Sequence, residues 1–155
     1  MRDVIIKHHP KFVNSADMQR VGMECPGYFN VEHLVEETLA AVGGYQFVDA
    51  EGYDFSDFSD SKTTTVNANT GQVMVGNVET KIGALRITAF NPFKGSLDYF
   101  YVPRSQLNRV RSPCYGNNSH KERILFNYSR KQRDTYGWFE DYRVSSFEEL
   151  ATCTS

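Results

Sequence analysis

The sequence predicts an α/β or α+β fold: a single domain over residues 1–155 in which helices flank a central mixed β-sheet. Three observations predict it. The chain has 155 residues, the length of one ordinary domain. One segment, residues 31–44, carries helical periodicity, and most of residues 45–102 falls into short β-branched and aromatic runs separated by Gly- and Asn-rich turns.

The first 28 residues show no clear period, and Cys25-Pro26-Gly27 marks a turn. Asn30 is placed to cap a helix in which Val31, Leu34, Val35, Thr38, Leu39 and Val42 fall at helical spacing, with Gly43–Gly44 as its end. A short strand over Tyr45–Val48 precedes the acidic, aromatic stretch 49–60. SKTTTV, the turn NANTG and QVMVGNVETK together predict a β-hairpin. GALRITAF (83–90) and LDYFYV (97–102) predict two further strands around the turn NPFKG. SPCYGNNSHKE has loop composition, RILFNYS is strand-like, and SSFEELATC predicts a short closing helix with Ser146 and Glu149 at its start.

Composition removes several classes. The 11 Phe and 9 Tyr argue against a disordered chain. No run approaches 18 consecutive apolar residues, so no membrane-spanning helix is expected, and the start MRDVIIKHHPKF lacks the apolar core of a signal peptide. We therefore expect a cytoplasmic protein. Cys25, Cys114 and Cys153 are odd in number and form no CxxC pair, as expected of free thiols. No P-loop, G-x-G-x-x-G or G-x-S-x-G occurs. His8 and His9 are adjacent, which is poor geometry for a shared metal; His33 falls on the predicted helix, and His120 alone sits in a basic context.

The net charge of -2 conceals a division. Residues 24–60 hold nine acids and no Lys or Arg, whereas residues 104–133 hold eight bases and one acid, Glu122. The bases are Arg104, Arg109, Arg111, Lys121, Arg123, Arg130, Lys131 and Arg133, interleaved with Tyr115, Asn117, Asn118 and His120. Cations hold phosphates while amides and aromatics contact bases, so this half predicts a nucleic-acid track, with DNA as the first candidate.

Two acid-x-Lys triplets occur, Asp60-Ser61-Lys62 and Glu79-Thr80-Lys81. The predicted hairpin register puts Asp60 opposite Glu79, with Lys81 on the same face. Facing carboxylates repel, and a divalent cation resolves the conflict. An Asp on one hairpin strand followed by Glu-x-Lys on the next resembles the PD-(D/E)xK nuclease superfamily, although Phe58-Ser59, not Pro, precedes Asp60. The resemblance covers roughly residues 31–102. It implies a restriction-endonuclease-like core, with Asp60, Glu79 and Lys81 as the catalytic group and Mg²⁺ or Mn²⁺ on Asp60 and Glu79. Glu36, or its neighbours Glu32 and Glu37, would be a further ligand from the helix. Asp54 and Asp57 are alternatives to Asp60. A double-strand cutter of this size would act as a homodimer. The competing expectation is a non-catalytic protein: a nucleic-acid-binding accessory factor, or an inhibitor whose acidic face mimics DNA and engages a partner protein.

Overall fold

The computed structural model describes residues 29–67, 69–91, 96–129 and 137–154. Within them, α1 (Phe29–Gly43) leads into the strands β1 (Phe47–Ala50), β2 (Tyr53–Phe55), β3 (Asp60–Thr65), β4 (Gln72–Val75), β5 (Leu85–Asn91) and β6 (Ser96–Val102). The chain continues through α2 (Leu107–Val110), β7 (Arg111–Pro113), β8 (Glu122–Asn127), β9 (Arg143–Val144) and α3 (Phe147–Thr152). The fold is therefore mixed, of the α+β kind, as the sequence predicts. No helix among the described residues is long and apolar enough to cross a membrane.

Helix α1 stops where its glycines predict. Gly44 adopts φ +78°, and the amides of Gly44 and Tyr45 both donate to the Ala40 carbonyl, the pattern of a left-handed helix cap. Helix α3 starts on Ser146, whose side chain accepts from Glu149 N. The Glu149 carboxylate reaches back to Ser145 N at 2.7 Å, a capping box shifted by one residue.

The strands form a four-stranded sheet in the order β3-β5-β6-β9, a three-stranded sheet β4-β8-β7 and the two-stranded pair β1-β2. Period-two alternation divides the large sheet between two cores. Tyr99 and Tyr101 face Val35, Leu39, Phe147 and Leu150 of the helical layer. Leu85, Ile87, Phe100 and Val102 face Val73, Val75, Ile124 and Phe126 of the small sheet. The large sheet is thus buried on both sides, between helices and a second sheet.

The predicted hairpin is corrected here. The turn at Asn67–Gly71 forms, with Gly71 N donating to Asn67 O at 2.8 Å, but β3 and β4 do not ladder with each other. β3 pairs in parallel with β5, so Asp60 stands beside Leu85, and β4 pairs antiparallel with β8. The cause is burial. β5 is buried from Leu85 to Ala89 and needs a strand on each edge, while β4 buries only Val73 and Val75 and satisfies them in the small sheet. β4 ends at Val75, so Glu79 and Thr80 fall in a turn rather than on a strand.

An arginine is embedded in the helical face of the sheet. Arg86 on β5 is fully buried, between the rings of Tyr45 and Tyr101 at 4.7 and 5.1 Å from their centroids. Its guanidinium pairs with Asp57 at 2.8 Å, donates through Nε to Ser59 Oγ at 3.1 Å, and donates to the Leu150 carbonyl of α3. Strand, β2–β3 turn and terminal helix are joined at this one group. We predict that Asp57→Ala, which leaves the guanidinium without its carboxylate, lowers the unfolding free energy by roughly 2–3 kcal/mol in urea titrations. A loss below about 0.5 kcal/mol would rank the pair with exposed salt bridges.

Candidate functional site

Along the free edge of β3 lies a polar cleft of about 340 Å³ into which Glu36, Asp54, Asp60, Lys62 and Lys81 converge. Each arrives on a different support. Glu36 comes from α1 and Asp54 from β2. Asp60 and Lys62 are two apart on β3 and share a face, with Ser61 between them on the other. Lys81 comes from the loop that follows β4.

The β2–β3 turn fixes the carboxylates. Asp54 N and Phe55 N both donate to Ser59 O, and Asp54 Oδ2 accepts from Ser61 N at 2.9 Å. Asp60 N donates to Ala84 O at 2.9 Å, which starts the parallel ladder. Phe58 takes a left-handed φ of +68°, a strained state for a bulky side chain, and its carbonyl lies where a Cβ on Gly83 would be. Gly83 is therefore required for the close approach that lets the turn meet β5.

The Lys81 loop is braced from below. Lys81 N donates to Val78 O, and Arg111 Nη1 donates to the carbonyls of Val78 and Lys81 at 3.1 and 3.2 Å. Glu122 completes the brace, accepting from Val78 N through its carbonyl and standing 3.7 Å from Arg111 Nε.

Asp60 is the electrostatic centre. It is 2% exposed, with Lys81 Nζ 2.9 Å from Oδ1 and Lys62 Nζ 3.8 Å from Oδ2. Burial and then the neighbouring Asp54 charge push its carboxyl up to about 6, against the lowering effect of the two lysines. Asp60 Oδ2 and Ser61 Oγ are both buried without a hydrogen-bond partner, and both belong to residues lining the cleft. Both atoms leave hydrogen-bonding capacity that a water, an ion or a ligand in the cleft can take up.

Asp57 has a different task. Burial works to raise its carboxyl, but hydrogen bonds from Ser59 and the Arg86 guanidinium outweigh it and hold the carboxyl low. It serves Arg86, not the cleft. Glu79 sits partly buried in its turn and is not among the residues that line the cleft with Asp60 and Lys81. The acid-x-Lys triplet that does line the cleft is Asp60-Ser61-Lys62, with Asp54 six residues upstream. The side chains of Glu32 and His33 lie outside the described set.

The basic half is divided in its duties. Arg111 braces the Lys81 loop, and Arg109 bonds Gln106 at 3.1 Å. Asn117, Asn118, His120 and Lys121 are exposed on the turn between β7 and β8. Beside them Arg123 lies 4.8 Å over the ring of Tyr115, which is 82% exposed, and Arg104 is exposed beyond β6. Arg130, Lys131 and Arg133 lie outside the described residues.

No family model, no curated protein and no solved structure matches this chain. Fold and site therefore stand on geometry alone. Among the described residues no three His, Cys, Asp or Glu side chains are grouped closely enough to hold a metal ion by themselves. Asp54 and Asp60 line the cleft as neighbouring carboxylates.

Sequence reasoning passed over Arg86 entirely. The signal was present: an arginine inside the apolar run GALRITAF demands buried partners.

A pH measurement checks the Asp60 environment. The folded chain binds the Asp60 proton more tightly than the unfolded chain, whose carboxyl has the ordinary value of 3.8. Between there and about 6, folding stability from this group falls as pH rises. Asp60→Asn should lose that decline, so that the mutant gains on the wild type from pH 4 to pH 7 in urea midpoints. Parallel pH profiles would show that Asp60 is not disfavoured as a carboxylate.

Proposed function

We propose that the chain is a divalent-cation-dependent phosphodiester hydrolase acting on nucleic acid, with a site of the PD-(D/E)xK kind. The observation that carries this reading is the cleft on the β3 edge. There a buried carboxylate with an orphaned oxygen, a second carboxylate and two ammonium groups meet around one polar space.

Asp54 and Asp60 are the residues that would hold Mg²⁺ or Mn²⁺, with Glu36 across the cleft as an additional acid. Such a cation supplies Lewis-acid charge at the phosphate and lowers the pKa of a water. Lys62, two residues from Asp60 on the same strand face, takes the place of the motif lysine and stabilises charge that develops on the phosphate. The rigid parallel pairing of Asp60, Ser61 and Lys62 with Leu85, Arg86 and Ile87 holds acid and lysine in fixed relation. Glu79 has no part in this site.

The nucleic-acid half of the reading rests on the β7–β8 hairpin. Its turn exposes Asn117, Asn118, His120 and Lys121 beside the Arg123–Tyr115 stack, a combination able to hold phosphates and stack on bases. Glu122, in that hairpin, also ties to the loop carrying Lys81, so the basic surface and the cleft share a support. The same details weigh against an acidic DNA mimic. Asp60 is buried under two lysines and Asp57 is committed to Arg86, so neither is displayed as a phosphate would be.

The test is cleavage of plasmid and of single-stranded DNA and RNA with Mg²⁺ or Mn²⁺. Lys62→Ala is expected to lower the rate about 10²–10³-fold, and Asp60→Ala or Asp54→Ala at least as much. Glu79→Ala is expected to retain wild-type activity within about threefold. No cation-dependent cleavage of any of these substrates by the wild-type protein would overturn the reading.

A further inference from the structure

Asp60 faces two ammonium groups, and they approach different oxygens. Lys81 Nζ donates to Oδ1 at 2.9 Å, while Lys62 Nζ stands off from Oδ2 at 3.8 Å. The two lysines are held differently. Lys62 belongs to a strand laddered to β5, so its backbone is fixed by the sheet. Lys81 belongs to a loop that Arg111 and Glu122 connect to the basic hairpin, and its side chain reaches across to Asp60 from outside the sheet.

A divalent cation beside Asp60 would meet both ammoniums at short range, a repulsion that a partly buried site screens weakly. One lysine has to leave, and the loop lysine is the one whose backbone is independent of the strand. We infer that Lys81 is a placeholder for the divalent cation on Asp60 Oδ1, and that its release by the cation makes it a phosphate-binding group for the substrate. This rests on the cleft being a cation site. Two consequences follow. Without substrate, Lys81 competes with the cation and weakens its binding. With a phosphodiester present, the released ammonium has an anion to pair with, so cation and phosphodiester bind with positive coupling.

Calorimetric titration of the folded protein with Mn²⁺ alone, and with Mn²⁺ in the presence of dimethyl phosphate, tests this. At pH 8.5 Asp60 is ionised, so proton competition does not obscure the result. Lys81→Met is expected to bind Mn²⁺ about tenfold more tightly than wild type and to lose the tightening that dimethyl phosphate gives the wild type. Lys81→Arg, which keeps the charge, is expected to bind Mn²⁺ as weakly as wild type. Circular dichroism and the thermal midpoint verify folding, and Lys81→Gln replaces Lys81→Met if the latter does not fold. Equal or weaker Mn²⁺ binding by the folded neutral variant, or unchanged coupling to dimethyl phosphate, would overturn the inference. Asp60→Asn separates the two levels. Wild-type Mn²⁺ affinity in Asp60→Asn sinks the cation site itself, whereas its loss there with no gain in Lys81→Met sinks the placeholder role alone.

Discussion

The buried guanidinium of Arg86 organises this molecule. A cation on the inner face of a sheet must be satisfied by its surroundings, because the penalty for an unpaired charge there exceeds that of almost any packing defect. Asp57, Ser59 and the Leu150 carbonyl supply the polar partners, and Tyr45 and Tyr101 supply π faces on either side. Burial also pushes the Tyr45 hydroxyl up, so it remains a neutral donor to Ala151 O at 2.9 Å and ties α1's end to α3. Satisfying Arg86 thereby sets the conformation of residues 57–59. That conformation delivers Asp60 to the start of β3 beside Leu85 and leaves its side chain in the cleft.

The cleft is built against local stability. Burial and then the Asp54 charge raise the Asp60 carboxyl, and two lysines offset only part of this. Phe58 holds a left-handed backbone a few residues away. A chain selected for stability alone would have no reason to keep a buried carboxylate with an orphaned oxygen at an open sheet edge. Such concentrations of unfavourable terms are typical of sites where a ligand supplies the missing interactions. The sheet order gives the cleft its room: β3 ends the row β3-β5-β6-β9, so the space beside it is bounded by α1, β2 and the Lys81 loop instead of by another strand.

Local signals were readable in the sequence, and long-range pairing was not. Gly43–Gly44 marks the end of α1, Ser146 and Glu149 mark the start of α3, and the runs of β5, β6 and β8 fall close to where their β-branched and aromatic residues predict. Each depends on neighbours within a few residues. The pairing of β3 with β5 depends on a strand 25 residues away from Asp60, and nothing in SKTTTV distinguishes it from a hairpin partner for QVMV. The Asn67–Gly71 turn strengthens that confusion, since it is a real reversal that turns a corner between two sheets. The error propagated to the site. Asp60, Lys81 and Glu36 do share a cleft, but Glu79 was placed on it by the hairpin register; Asp54, an alternative to Asp60 in the sequence, stands beside it, and Lys62 was in view without a part. Arg111 was read as a phosphate contact, whereas its donors go to the backbone of the Lys81 loop, a role set entirely by tertiary approach.

The acid-rich and base-rich halves do not simply neutralise each other. Asp57 pairs with Arg86 and Asp60 with Lys81, while among the described bases Lys121 is exposed on the β7–β8 turn and Arg104 and Arg109 are exposed before it. The Lys81 side of the cleft and the β7–β8 hairpin are joined through Arg111 and Glu122. The claim that this geometry defines a cation-dependent hydrolytic site is tested most directly by a crystal grown or soaked with Mn²⁺ and measured at its absorption edge. An anomalous peak in the β3-edge cleft, ligated by Asp60 and Asp54, is the predicted result. A well-ordered cleft with no peak at saturating Mn²⁺, or a peak ligated by Glu79 instead, would contradict the account.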